Sequence, residues 1–157
     1  MTIHIGCDPG GDGGLALVNG RHADAIIMPM AGGDVDGSAV TRWLESAKSM
    51  RDQETIMWIE KVGAMPGQGV TSMFNFGKRY GTIIGACAGL HIPVRLVTPQ
   101  AWKKVVLAGT DKTKDAAIEY VQMAYPNLSL IPTPRCRKHH DGMADAVCLA
   151  VYGSRQL

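Results

Sequence analysis

Asp145 is the residue of this 157-residue chain least easily explained as plain structure. Ala146, Val147, Cys148, Leu149, Ala150 and Val151 follow it, apolar on every side of a helix. A helix apolar all round is buried. A buried carboxylate without a partner is disfavoured by on the order of several kcal/mol. No lysine or arginine follows it before Arg155. A divalent cation is the least costly partner, and hard oxygen donors select Mg²⁺ or Mn²⁺ over zinc. Asp141 lies four residues earlier, so the two acids share one helix face. Asp8 closes an alternating segment, and Glu60 closes the apolar run Ile56-Met57-Trp58-Ile59. Sites in open α/β sheets form beyond strand ends. Four acids able to converge there point to two metals roughly 3.5–4 Å apart, the arrangement that hydrolyses phosphodiesters. Plainer roles stay open for three of them: a turn for Asp8, a lysine pair for Glu60, a helix-dipole charge for Asp141.

The elements that must position these acids follow from pattern. Ile3, Ile5 and Cys7 alternate, Gly14 to Val18 is short and apolar, Asn19-Gly20 signals a hairpin, and Ala25 to Met28 is apolar again. Three antiparallel strands are expected, then a Gly/Asp loop over 31–37. Val40, Trp43, Leu44 and Ala47 define a helix over 38–50 with Ser38 as its N-cap. The run 56–59 suits a strand buried on both faces. A loop over 61–70 leads to a helix capped by Thr71 or Ser72 and ending near Leu90. A strand over 93–98 and helices over 99–107, 113–125 and 140–152 complete the chain. The order implies an α/β fold, a mixed five-stranded sheet flanked by helices, as one domain over residues 1–157.

Composition narrows the class. With 46% hydrophobic and 19% charged residues, the chain is neither disordered nor membrane-like. No apolar run reaches transmembrane length, and the start lacks the basic flank and apolar core of a signal peptide. Cys7, Cys87, Cys136 and Cys148 show no CxxC spacing and read as reduced thiols of a cytoplasmic protein. No GxxxxGK[ST] is present, so no nucleotide cofactor is expected. Net charge is −1 over residues 1–102, +4 over 103–140 and −1 over 141–157. A basic segment thus directly precedes the two late aspartates. It is either a solvated loop or a phosphate-binding surface beside the acids.

Four motifs together carry a resemblance: Ile-Gly-Cys-Asp-Pro-Gly, Trp-Ile-Glu-Lys-Val, Phe-Gly-Lys-Arg-Tyr-Gly and His-Asp-Gly-Met-Ala-Asp-Ala. In this order and spacing the chain resembles the RuvC family of Holliday junction resolvases, of the ribonuclease H-like fold, and looks like its phage-encoded branch. The family cuts branched DNA, chiefly four-way junctions, as a homodimer with Mg²⁺. The resemblance implies two Mg²⁺ ions (Mn²⁺ as substitute) held by Asp8, Glu60, Asp141 and Asp145. It implies paired nicks leaving 5′-phosphate and 3′-hydroxyl ends. Cellular members place the third ligand three residues before the last; here that position is Gly142, and Asp141 stands four before. His140 is an auxiliary candidate.

The resemblance further implies DNA contacts, for which Lys112, Lys114, Arg135, Arg137 and Lys138 are candidates. Gly77, Gly81, Gly85 and Gly89 repeat every four residues within one helix. Each glycine costs about 0.8–1 kcal/mol against alanine there. The compensation is either close packing on the chain's own sheet or a helix pair across a two-fold axis, with Gly77, Gly81 and Gly85 as interface candidates. The aromatic wedge of the cellular enzymes falls at Gly63 in this chain. Met65 is the candidate replacement, while Phe74 and Phe76 read as core or interface.

Overall fold

Ile3, Ile5 and Cys7 are almost wholly buried, and so are Met57 and Ile59. Their strand neighbours His4, Gly6, Ile56 and Trp58, which point to the opposite side, are buried too, so these strands are covered on both faces. In the computed structural model, which describes residues 2–49, 53–111, 113 and 115–156, these residues lie in the central strands of a mixed sheet. β1 (Ile3–Asp8), β2 (Gly14–Asn19) and β3 (His22–Ile27) form an antiparallel meander. A small hairpin of β4 (Met30–Ala31) and β5 (Asp34–Val35) follows, then α1 (Gly37–Ser49). β6 (Thr55–Glu60) pairs parallel to β1. After α2 (Val70–Gly89), β7 (Val94–Val97) pairs parallel to β6. The helices α3 (Pro99–Val106), α4 (Ala116–Ala124) and α5 (Asp141–Ser154) close the chain. The sheet order is β3-β2-β1-β6-β7, the five-stranded mixed sheet expected.

Strand periodicity splits the core in two. Ile3, Ile5, Cys7, Leu15 and Met57 face Val40, Leu44, Ile83 and Cys87 of α1 and α2. Ala16, Val18, Ile56 and Trp58 face α3, α4 and α5, where Trp102, Val121, Val147 and Ala150 pack. α5 reaches the sheet closely because Gly6 lacks a side chain; a Cβ there would overlap the carbonyl of Ala146.

Several boundaries differ from the sequence expectations. The third strand starts at His22, and the 31–37 loop holds the β4–β5 hairpin. Ser38 does not cap α1; Asp36 does, its carboxylate accepting from the Ala39 amide at 3.0 Å. Neither Thr71 nor Ser72 caps α2, which begins at Val70 after Gly69 with no side-chain cap. α4 begins at Ala116 rather than 113. Among the described residues no helix is long and apolar enough to cross a membrane.

Candidate active site

Parallel pairing of β1 with β6 sets Cys7 opposite Ile59, so Asp8 and Glu60 emerge side by side at the same sheet end. α5 runs over β1 and starts at that end, with Asp141 in its first turn. Asp145 follows one turn later. The four sequence candidates therefore share one region, and their electrostatics show it. Burial, then the charges of Asp8, Glu60 and Asp141, push the Asp145 carboxyl up to about 7, against a smaller opposing effect of Lys103. Asp8 is also raised, first by burial, then by Glu60 and Asp141, while the Gly10 amide that donates to its Oδ1 at 3.1 Å opposes the shift.

None of the four acids has an ion pair within 4 Å among the described residues. They fit a divalent cation by donor type: hard oxygens, half-buried in the case of Asp8, Glu60 and Asp145, with surplus negative charge. Among the described residues no three Asp, Glu, His or Cys side chains are grouped so as to hold a metal ion as they stand.

Two neighbours were not visible in the sequence. The buried indole of Trp102 donates to Glu60 Oε1 at 2.9 Å, fixing that carboxylate from α3. Lys103, the next residue, supplies the cation near Asp145 that the local sequence lacks. Both line a cavity of about 180 Å³ together with Asp141 and Asp145. Their signal is tertiary, because 42 residues separate Trp102 from Glu60. His140 is already engaged: its Nδ1 accepts from the Met143 amide at 3.2 Å and caps α5.

Position 142, where the resemblance would put the third ligand, has no room for a side chain. Gly142 packs against the loop after β1, and a Cβ there would overlap the carbonyl of Asp12 and crowd Gly13. Asp141, one residue earlier, is exposed in the first turn of α5. Gly142→Ala is expected to destabilise the fold by about 1–3 kcal/mol through overpacking, read as a lowered melting temperature.

Arg135, Arg137 and Lys138 are exposed on the loop leading into α5. Lys112 and Lys114 lie outside the described residues. Met65 is 67% exposed on the loop after β6, as a wedge requires, but Phe74 is 68% exposed and so is not a core residue. Phe76 is half-buried and stacks on Tyr80, ring centroids 6.3 Å apart. The glycine row does not pack on the chain's own sheet. A Cβ at Gly77, Gly81, Gly85 or Gly89 would meet nothing within 4 Å.

Mixed sheet, strand order and the helix crossing β1 together decide the comparison with solved structures. The chain has the RuvC fold. It superposes on Thermus thermophilus RuvC in complex with a Holliday junction substrate with a TM-score of 0.64 at 14% identity, covering 98% of this chain and 93% of that one. A second Thermus thermophilus RuvC structure gives a TM-score of 0.59 at 16% identity, covering 98% and 96%. No family model and no curated protein matches the sequence. The likeness to RuvC is therefore one of fold.

Proposed function

We propose that the chain is a metal-dependent endonuclease that cuts four-way and other branched DNA by paired nicks. The observation that carries this reading is the convergence of Asp8, Glu60, Asp141 and Asp145 at one sheet end of a RuvC fold, with Asp145 half-buried and under-compensated. These four residues would hold two Mg²⁺ ions, or Mn²⁺ in their place, which supply the charge that activates an attacking water and stabilises a leaving 3′ oxygen. The chain's own work is positional. Trp102 orients Glu60, the Gly10 amide orients Asp8, and Lys103 offsets part of the negative charge before the cations bind. Arg135, Arg137 and Lys138 offer phosphate contacts beside the acids, and Met65 stands free to insert between bases.

A homodimer belongs to the same reading. The solvent face of α2 carries Val70, Phe74, Gly77, Gly81, Gly85 and Ala88, all exposed, where an isolated helix would show charges. A two-fold pair of such helices would present two sites to two equivalent strands.

The deciding experiment incubates the protein in Mg²⁺ with a labelled synthetic four-way junction, beside duplex, flap, Y-fork and RNA:DNA hybrid. Symmetric nicks in the junction with religatable ends are expected. Preferential cutting of the hybrid would reassign the substrate. Junction binding without cutting in either Mg²⁺ or Mn²⁺ would make the chain a non-catalytic junction binder.

Trp102→Phe keeps most of the ring volume and removes the donor to Glu60. Losing such an orienting partner typically weakens metal binding or activity by about 10–100-fold. The Mg²⁺ concentration needed for half-maximal cleavage should rise, while excess Mg²⁺ restores much of the rate. A melting-temperature loss with an unchanged Mg²⁺ requirement would make Trp102 a packing residue only.

A further inference from the structure

Lys78 and Arg79 are neighbours on α2, but their charges are met differently. Lys78 pairs with Asp34 of the β4–β5 hairpin. Arg79 has no carboxylate partner among the described residues. Its Nη2 donates to the Gly33 carbonyl at 2.9 Å. Its Nε is buried with no hydrogen-bond partner. Its Nη1 rests over Gly11, 2.7 Å from the point a Cβ of that residue would occupy. Gly11 belongs to the short loop that begins at Asp8. Arg79 also lines a groove of about 610 Å³ between the loop after β6 and α2, whose walls include Lys61, Met65, Gln68 and Phe76.

A guanidinium is always charged, and its planar fork matches two oxygens of a phosphate. Here Nη2 meets a backbone carbonyl, no carboxylate pairs with the guanidinium among the described residues, and a second cation, Lys61, lines the same groove directly after Glu60. Gly11 leaves the guanidinium room beside the loop that follows Asp8. We propose that Arg79 binds a backbone phosphate of the DNA strand lying in this groove, and so sets where that strand passes relative to Asp8. This rests on the endonuclease reading. Lys78, already paired, does not share the role.

The test is binding of a fluorescent synthetic four-way junction in EDTA, titrated at several salt concentrations. Arg79→Ala should weaken binding roughly tenfold or more at low salt, as expected for a charge-assisted pair. It should also reduce the slope of log affinity against log salt by about one. Arg79→Lys should keep the slope and recover only part of the affinity. Gly11→Ala pushes the guanidinium aside, so it should weaken binding in the wild type and add nothing in the Arg79→Ala background. A folded Arg79→Ala protein with unchanged affinity and slope overturns the inference while leaving the endonuclease reading standing. A wild type that binds neither junction nor duplex overturns that reading itself. Should Arg79→Ala not fold by circular dichroism, Arg79→Gln decides in its place by the same slope.

Discussion

Asp145→Asn is expected to abolish junction cleavage and, in the same protein, to raise the melting temperature. Both effects come from one arrangement: a half-buried carboxylate placed among three others, with Lys103 as the opposing charge among the described residues. In the absence of divalent cations that charge works against folding. The carboxyl rises from its ordinary 3.8 to about 7. A raised carboxylate pKa means the folded state binds more protons than the unfolded state between those values. Stability is therefore present below about 4 and is lost progressively as pH rises towards 7. Asparagine keeps the shape and removes the charge. In a chelator it should gain about 1–3 kcal/mol at neutral pH, roughly 2–4 °C for each kcal/mol in a chain of this size. The gain should shrink to nothing as pH falls towards 4. Cleavage in Mg²⁺ should fall by at least about 10³-fold, since losing a ligand forfeits several kcal/mol of transition-state stabilisation. Asp8→Asn should do the same to cleavage. Junction binding should survive in both variants, because on the proposed reading these acids hold ions and do not form the DNA surface. Undiminished cutting by either variant would remove them from the metal site. A variant no more stable than wild type in chelator would show that Asp145 is better compensated than its surroundings indicate.

The parts of this site legible in the sequence are those with local signals. An apolar run ending in an acid marks a strand end, so Asp8 and Glu60 stood out. An acid followed by six apolar residues marks a buried helix, so Asp145 did too. Parallel pairing of their strands then required the first two to be neighbours. What stayed hidden depends on contacts between distant segments. Trp102 reads as an ordinary core aromatic until its indole is seen on Glu60, and Lys103 reads as a surface charge. Arg79 carries no pattern that separates it from Lys78; only the hairpin and the Asp8 loop distinguish them. The helix caps failed for a related reason. Ser38 has the right chemistry, but the chain turns two residues earlier, where Asp36 reaches the free amide of Ala39. The glycine row was legible as an anomaly with two explanations, and its exposure removes one of them, packing on the chain's own sheet.

Gly81→Leu should turn the remaining explanation into a measurement. In one subunit a side chain at Gly81 enters open space, because nothing lies within 4 Å of its Cβ position. Leucine is also the better helix former by most of the ~1 kcal/mol that glycine costs. The isolated subunit should therefore fold as well as wild type or slightly better. A dimer built on this face responds in the opposite direction. The added side chain meets the partner helix at its closest approach, where overpacking costs typically about 1–3 kcal/mol. Two-fold symmetry imposes that cost from both subunits. The dimer dissociation constant should rise by at least about 30-fold, at roughly 1.4 kcal/mol per decade. Light scattering at micromolar concentration should show monomer for Gly81→Leu and dimer for wild type, with unchanged or higher melting temperature at high dilution. Junction cleavage should then separate into two effects: single nicks persist, and paired cutting of opposite strands falls further. A folded Gly81→Leu protein that stays dimeric places the interface elsewhere, and a wild type monomeric without DNA leaves the exposed face of α2 to be covered only on the substrate.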